Sequence, residues 1–584
     1  MKLLFSTLGH LLLSVVLSAP LSITMSQIGG IALAQESLEE LEDFDYWQNL
    51  CRLQTDAAKY DEALTSCEQA IELEPKDARI WAAHSGILLN LEQYPEAIAS
   101  AERSLNFDAQ NSLALTYQCI AYTALDQNEI ALDVCNDALR LDGDWGDRSP
   151  ALAWRYRGNI LDQAEQHEQA LVAYDRTLLL ESDDSQTLAY KCRTEVNLER
   201  YSPAIETCQQ ALDGNLRWGP ESEGFALYYQ GIAYTNLALY DRAIAAFDLS
   251  LEADPENAGT WTYQGLVLQN REHYAEALTS YTRAVELAPT SARALVGQCT
   301  VMNQLQAYET AADACQQAIQ GDGEWWELGA AQAWNQRGHA LAGQGMYEPA
   351  LAAANRAVGM RPDYAQAWSD RSVIFWYLGT LQETNLDDQA ALTTYEQAIL
   401  SAREALDLDD TNARTWANLG RYHRSVAQLN FKYDNPTQGN DFLKQAVTSY
   451  KNALKLDPQD DETWVNYSVV LWLMQDYDQA LRAAQRAVDL NISSTTAWQT
   501  QGAVLTALGQ YEGAQASYFE ALRRDETSAD AWASYGVVTL KLNEFDEGIQ
   551  ALQMALQLDP EQPLAIETLT LVEEQLTNIN PPPK

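Results

Sequence analysis

The chain has 584 residues, of which 83 are acidic and 37 basic, giving a formal net charge of −46. A surface this negative repels phosphate backbones and anionic lipid headgroups, which argues against nucleic acid as a partner. After residue 34 no segment holds 18 consecutive apolar residues, so the mature chain reads as free of transmembrane spans.

Residues 1–34 carry one charge, Lys2, then an apolar stretch from Leu8 to Leu17, and end in Ala32-Leu33-Ala34 before Gln35. A charged start, an apolar run and an A-x-A site are what a Sec signal peptide requires. Pro20, Gly29 and Gly30 interrupt the alternative, one long membrane-anchoring helix. Beyond the expected cleavage site lie 83 acidic and 36 basic residues, a net charge of −47. That charge fits solubility, or attraction to basic partners or divalent cations. Residues 35–43 form a short acidic segment.

From residue 44 one pattern recurs. Its fourth position is held in turn by Trp47, Trp81, Leu115, Trp154, Leu188, Leu227, Trp261, Leu295, Trp334, Trp368, Trp416, Trp464, Trp498 and Trp532. Eight of the thirteen spacings are 34 residues, three are 39 and two are 48. Position 8 is Gly, Ser or Cys throughout, and position 20 is Ala in every unit but the last, where it is Gly548. Apolar residues at positions 4, 11, 20, 24 and 27 give each of two helices one buried stripe, and small residues at 8 and 20 let those helices approach closely. One unit cannot bury its stripe alone, so neighbours must stack.

The motif in the seventh unit reads Trp261, Gln264, Gly265, Leu268, Tyr274, Ala277, Tyr281, Ala284 and Pro289. It resembles the tetratricopeptide repeat. The resemblance covers about residues 44–580. It implies an all-α superhelical solenoid of about 14 helix-turn-helix repeats that presents a binding surface. The boundaries follow as repeats 1–9 and the start of 10 over 44–374, repeats 10–11 over 375–463, repeats 12–14 over 464–563, a capping helix over 564–580 and a tail over 581–584.

The eight cysteines form four pairs at positions 8 and 24 of one repeat each: Cys51 with Cys67, Cys119 with Cys135, Cys192 with Cys208 and Cys299 with Cys315. In an antiparallel helix pair, residues whose position numbers have a near-constant sum face each other, as 4 and 27 or 11 and 20 do. Positions 8 and 24 belong to that set. Exported proteins form disulfides, so four structural bridges within repeats are expected.

The last three Cys repeats are each followed by five extra residues and by Trp ten residues after the second Cys: Trp145, Trp218 and Trp325, the last joined by Trp326. Two roles fit these loops, aromatic platforms for sugar rings or peptides and flaps folded back over a helix end. Asp142, Asp144 and Asp147 lack the ligand series of an EF-hand, and the other two loops do not repeat them, so no metal site is expected.

The resemblance also implies that first helices line the concave face, chiefly through positions 2, 5, 9, 12 and 13. Family members that grip a terminal carboxylate use Lys or Arg at 5 and 13 with Asn at 9. Repeat 4 offers Arg155 and Asn159 but Gln163, and repeat 5 offers Arg193, a partial match. The C-terminal half instead places Trp376, Tyr377, Trp472 and Leu473 at inward positions, joined by Val465, Val469, Val537 and Leu540. Exposed apolar residues in such a patch mark an interface, so these eight are the expected binding residues. Repeats 10 and 11 each carry 14 extra residues, at 376–394 and 424–442, which lengthen both helices by about two turns with tips near Asn385 and Asn435-Pro436. Such hairpins could cover the groove or form a docking wing.

No HExxH, CxxC, Walker, GxGxxG or GxSxG motif occurs, and the five histidines after residue 34 fall one to a repeat. Neither a catalytic residue nor a cofactor is expected. The reading is an exported scaffold that binds proteins or peptides, in the periplasm, or in the thylakoid lumen if the source is a photosynthetic bacterium. The alternative is a carbohydrate-binding envelope protein that uses the Trp loops.

Overall fold

The structure is a computed structural model that describes residues 43–146 and 148–579, with side chains to Glu573. The expected signal peptide, the acidic segment up to residue 42, Asp147 and the tail from residue 580 lie outside the described residues. The described chain holds 29 helices and no named strand. It divides between Thr260 and Trp261 into two compact units. In each unit antiparallel helix pairs pack in chain order.

Ordinary repeats pair a first helix of about 13 residues with a second of about 14, as in Ala78–Asn90 with Tyr94–Phe107. Many first helices start at Asp, Asn or Ser caps whose side chains accept from the first-turn backbone, among them Asp77, Asn111, Asp184, Ser291, Ser494 and Ser528. The turn inside each pair needs one residue in the left-handed region. Gly345 and Gly509 supply it without strain, whereas Glu92, Glu199 and Leu386 adopt the same conformation with a side chain.

Two side-chain pairings recur at the close approach of positions 8 and 24, beside repeats that place serine there or face glycine with Ala or Leu. In one, glycine faces an aromatic ring. A Cβ on Gly158 would stand 2.5 Å from Tyr174, and one on Gly265, Gly420 or Gly502 would stand 2.8–2.9 Å from Tyr281, Tyr450 or Tyr518. In the other, two cysteines meet. The four expected pairs have Cα separations of 5.2–5.4 Å, within the disulfide range, and no free cysteine remains. All eight are at most 1% exposed.

Tryptophan at position 4 has a second task. Its indole N–H donates to the backbone carbonyl six residues earlier, at the end of the preceding repeat: Trp81 to Pro75, Trp368 to Pro362, Trp464 to Pro458, Trp498 to Ile492 and Trp532 to Glu526, at 2.8–3.1 Å. This ties the linker to the next first helix.

Each five-residue insertion is clipped to the start of its own repeat. Backbone N–H groups of Asp144, Asn215 and Asp322 donate to the carbonyls of Gln110, Asp183 and Thr290 at 2.7–2.9 Å. The glycine before each donor is required. A Cβ on Gly214 or Gly321 would lie 2.6 Å from a backbone oxygen, and one on Gly143 closer still.

The helices of repeats 10 and 11 are long: Ala365–Thr384 with Asp388–Leu408, and Ala413–Lys432 with Pro436–Leu456. They exceed ordinary helices by seven residues an arm, two turns, with tips at Asn385 and Asn435 as expected. The two hairpins pack on each other through Leu392, Phe442, Tyr422 and Val426. Asp388 pins their tips, accepting from Lys432 Nζ at 2.5 Å and Tyr433 Oη at 2.7 Å. The hydrogen bonds from Lys432 and then Tyr433 hold its carboxyl below the usual carboxylate range.

The last helix, Pro563–Ile579, caps repeat 14. It buries Ala565 and packs Leu569 against Ala533, Leu552 and Ala555.

Candidate functional site

The first helices of repeats 12, 13 and 14, namely Asp461–Leu473, Thr495–Ala507 and Ala529–Lys541, border a groove of about 290 Å³. Val469, Trp472, Ala503, Val504 and Tyr518 form its apolar part. Gln499, Thr500, Asp530 and Ser534 supply polar groups along it. Trp472 is 39% exposed at its edge, a large apolar side chain left open to a partner.

A second aromatic set lies on repeats 9–11. Tyr377 is 43% exposed and its ring stacks on Tyr347 with centroids 5.9 Å apart and planes at 7°. Trp376 is half-buried. Its indole N–H donates to Ser425 Oγ at 3.3 Å, and the Arg421 guanidinium lies 5.1 Å from its ring centroid. The long first helix of repeat 11 therefore covers it, not a hairpin tip.

The expected binding set is thus divided. Trp472 and Tyr377 are exposed, whereas Val469 and Trp376 are half-buried. Val465 is a correction: it is 7% exposed, packed among Ala487, Val488 and Ala497. Ala487 of the second helix and Ala497 of the next first helix let the neighbours close over position 5. Leu473 packs against the core of repeats 11 and 12. Val537 and Leu540 pack under the capping helix, and Leu540 fills the space beside Gly548, whose Cβ would stand 2.7 Å away.

In the other unit the partial carboxylate match is neutralised within the chain. Arg155 pairs with Asp184 at 3.0 Å, Arg193 with Asp162 at 2.7 Å, and Asn159 accepts from Tyr174 Oη. Asp162, which also meets His167 Nδ1 at 2.7 Å, is 6% exposed.

The loop tryptophans are folded back. Trp145, Trp218, Trp325 and Trp326 are all half-buried. Trp145 donates to Asp142 at 2.9 Å. Trp325 and Trp326 pack against Leu295, Val296, Ala318 and Ala333, and Trp326 meets Tyr263 edge-on with Arg293 over its face. Sequence patterning could not settle this, because spacing is the same for an open ring and a sealed one.

Two histidines are held neutral by burial. His423 is pushed down to about 3 and His84 to about 4, burial first and a nearby arginine second in each. Among the described residues no three His, Cys, Asp or Glu side chains gather as a metal site would need, and no helix is long and apolar enough to cross a membrane.

The tetratricopeptide repeat profile matches residues 52–112, 264–324, 335–383, 438–495 and 500–563, together half of the chain. The chain belongs to the tetratricopeptide repeat family, and its fold is that of a protein-interaction scaffold. Among curated proteins it is similar to the Hsp70-Hsp90 organising protein of Plasmodium falciparum (isolate 3D7), 26% identical over 106 residues. That stretch is 18% of this chain and spans only 19% of that protein. Among solved structures it is similar to the Cut9-Hcn1 APC/C hetero-tetramer, at 15% identity and a TM-score of 0.38, covering 90% of this chain and 96% of that one. It is also similar to YrrB, at 20% identity and 0.27, over 38% and 99% of the two chains, and to MamA, at 20% and 0.26, over 32% and 95%.

Proposed function

We propose that this protein is exported and acts as a scaffold in the cell envelope, or in the thylakoid lumen of a photosynthetic bacterium. It binds partner proteins or peptides through the first-helix face of repeats 10–14. The observation that carries this reading is the 290 Å³ groove with Trp472 39% exposed at its edge. A shallow, open apolar concavity beside a few polar groups suits one anchoring side chain of a peptide. Four cysteine pairs at disulfide distance support an oxidising compartment, as does the signal-like pattern of residues 1–34. The half-buried loop tryptophans act as seals, so the carbohydrate reading has no open platform to rest on.

The test is a photo-crosslinking amino acid at Thr500, in the groove, and another at Leu179, on the exposed side of a second helix, in the native cell. A partner captured at Thr500 and not at Leu179 is expected. Equal capture at both positions would remove the groove from the proposal. N-terminal mass spectrometry checks export separately: the mature chain should begin at Gln35.

A further inference from the structure

The first helix of repeat 11, Ala413–Lys432, runs against the charge of the whole chain. It carries Arg414, Arg421, Arg424 and Lys432 and no Asp or Glu, in a protein with 83 acidic residues and 37 basic ones. Lys432 is taken by Asp388 at the hairpin tip. The three arginines lie seven and three residues apart, along one side of the helix. They stand between the aromatic set of repeats 9–10 and the helix that carries Trp472.

Their partners leave positive charge in excess. Arg421 is held flat by Trp376 and pairs at 2.5 Å with Glu462, a carboxylate 71% exposed and so open to exchange. Arg424 has only a neutral acceptor, Asn466 Oδ1 at 2.9 Å, and its Nε is buried with no acceptor at all. Tyr450 Oη, which feels both guanidinia, is likewise buried without a partner. Arg414 is exposed in the first turn. A guanidinium fork braced on an aromatic ring matches a carboxylate in two-point geometry.

We propose that repeats 10–12 select an acidic segment of a partner protein. Its Asp or Glu carboxylates engage Arg421 and Arg424, exchanging with Glu462, and an adjacent apolar side chain enters the groove at Trp472. This rests on the groove reading above. The ligand is a run of side-chain carboxylates rather than a chain terminus, and the residues differ from the partial match at Arg155, Asn159 and Arg193, which the chain itself neutralises. The overall negative charge does not oppose it at contact, because at physiological salt distant charges are screened beyond about 8 Å.

The experiment is fluorescence anisotropy on the full mature chain with three labelled peptides. Each has one Leu anchor flanked by Glu, by Gln or by Lys. The Glu peptide should bind at least about tenfold tighter than the Gln peptide, and the Lys peptide no tighter than Gln. Arg424→Gln should abolish the Glu preference. Arg414→Gln, at an exposed position that cannot threaten folding, should reduce it by a few-fold. Equal binding of Glu and Gln peptides, tighter binding of Lys, or a Glu preference that survives both substitutions overturns the proposal. A photo-crosslinker at Gln499 separates the two readings. If Gln or Lys peptides bind as well as Glu and cross-link there, the groove stands and the acidic preference falls. If bound Glu peptide never cross-links there, both fall.

Discussion

Removing one bridge tests how the repeats are held. In Cys192→Ala with Cys208→Ala, the loop released spans 16 residues between helices Ser185–Asn197 and Tyr201–Asp213. Loop-closure entropy for that length amounts to about 3 kcal/mol, with about 1 kcal/mol more for the space left by two sulfurs at a fully buried contact. In a stack whose repeats touch only their neighbours, the loss stays local. Native-state hydrogen exchange reads it directly. Backbone amides of those two helices should exchange up to about a thousandfold faster, while amides of Trp498 to Ala521 keep their wild-type rates. Wild-type protein whose bridges have been reduced should show most of this acceleration at the same repeat, short of the variant by the space the thiols still fill. Unchanged protection across 185–213 would refute the reasoning, since the Gly–Tyr contacts of other repeats would then suffice without a cross-link.

Acid should weaken the fold in a defined window. His423 is neutral when buried, with its folded value near 3, so the unfolded chain binds a proton first as pH falls below about 6.5. Stability is therefore full above that value, declines by about 1.4 kcal/mol per pH unit between the two, and stops declining below the folded value. His423→Gln should flatten urea-melt stability between pH 7 and pH 5 by roughly 2 kcal/mol. Trp498→Phe keeps the ring but loses the 2.9 Å bond to the Ile492 carbonyl, and should cost about 1 kcal/mol in thermal unfolding.

Much of this was readable in the residues because the repeat fixes geometry. Position 8 against 24 placed every cysteine opposite its partner, and 14 extra residues became two arms of seven because an antiparallel pair can lengthen only in both helices at once. The binding face was read less well. Val465 was expected in solvent, but its burial is set by Ala487 and Ala497, which belong to other helices. Val537 and Leu540 are half-buried in the cluster that the capping helix completes, and Leu540 also fills the space beside Gly548, a contact set by the fold of repeat 14 itself. The role of tryptophan at position 4 was invisible as a periodic signal, because leucine fills the same core position and only the indole N–H reaches the preceding carbonyl. Arg421 and Arg424 were missed because arginine on a helix reads as solvated surface. Only the three-dimensional neighbours show one stacked on Trp376 and the other with a buried, unmatched Nε.

Binding through the first-helix face is tested most directly by Trp472→Ala, with partner affinity and thermal unfolding measured on the same preparation. Because 39% of this residue is exposed and the rest is packed, its removal should cost the fold about 2 kcal/mol, which one repeat among fourteen can absorb, while affinity for the partner captured at Thr500 should fall by about 2 kcal/mol, some thirtyfold. Wild-type affinity in a folded Trp472→Ala protein would contradict it.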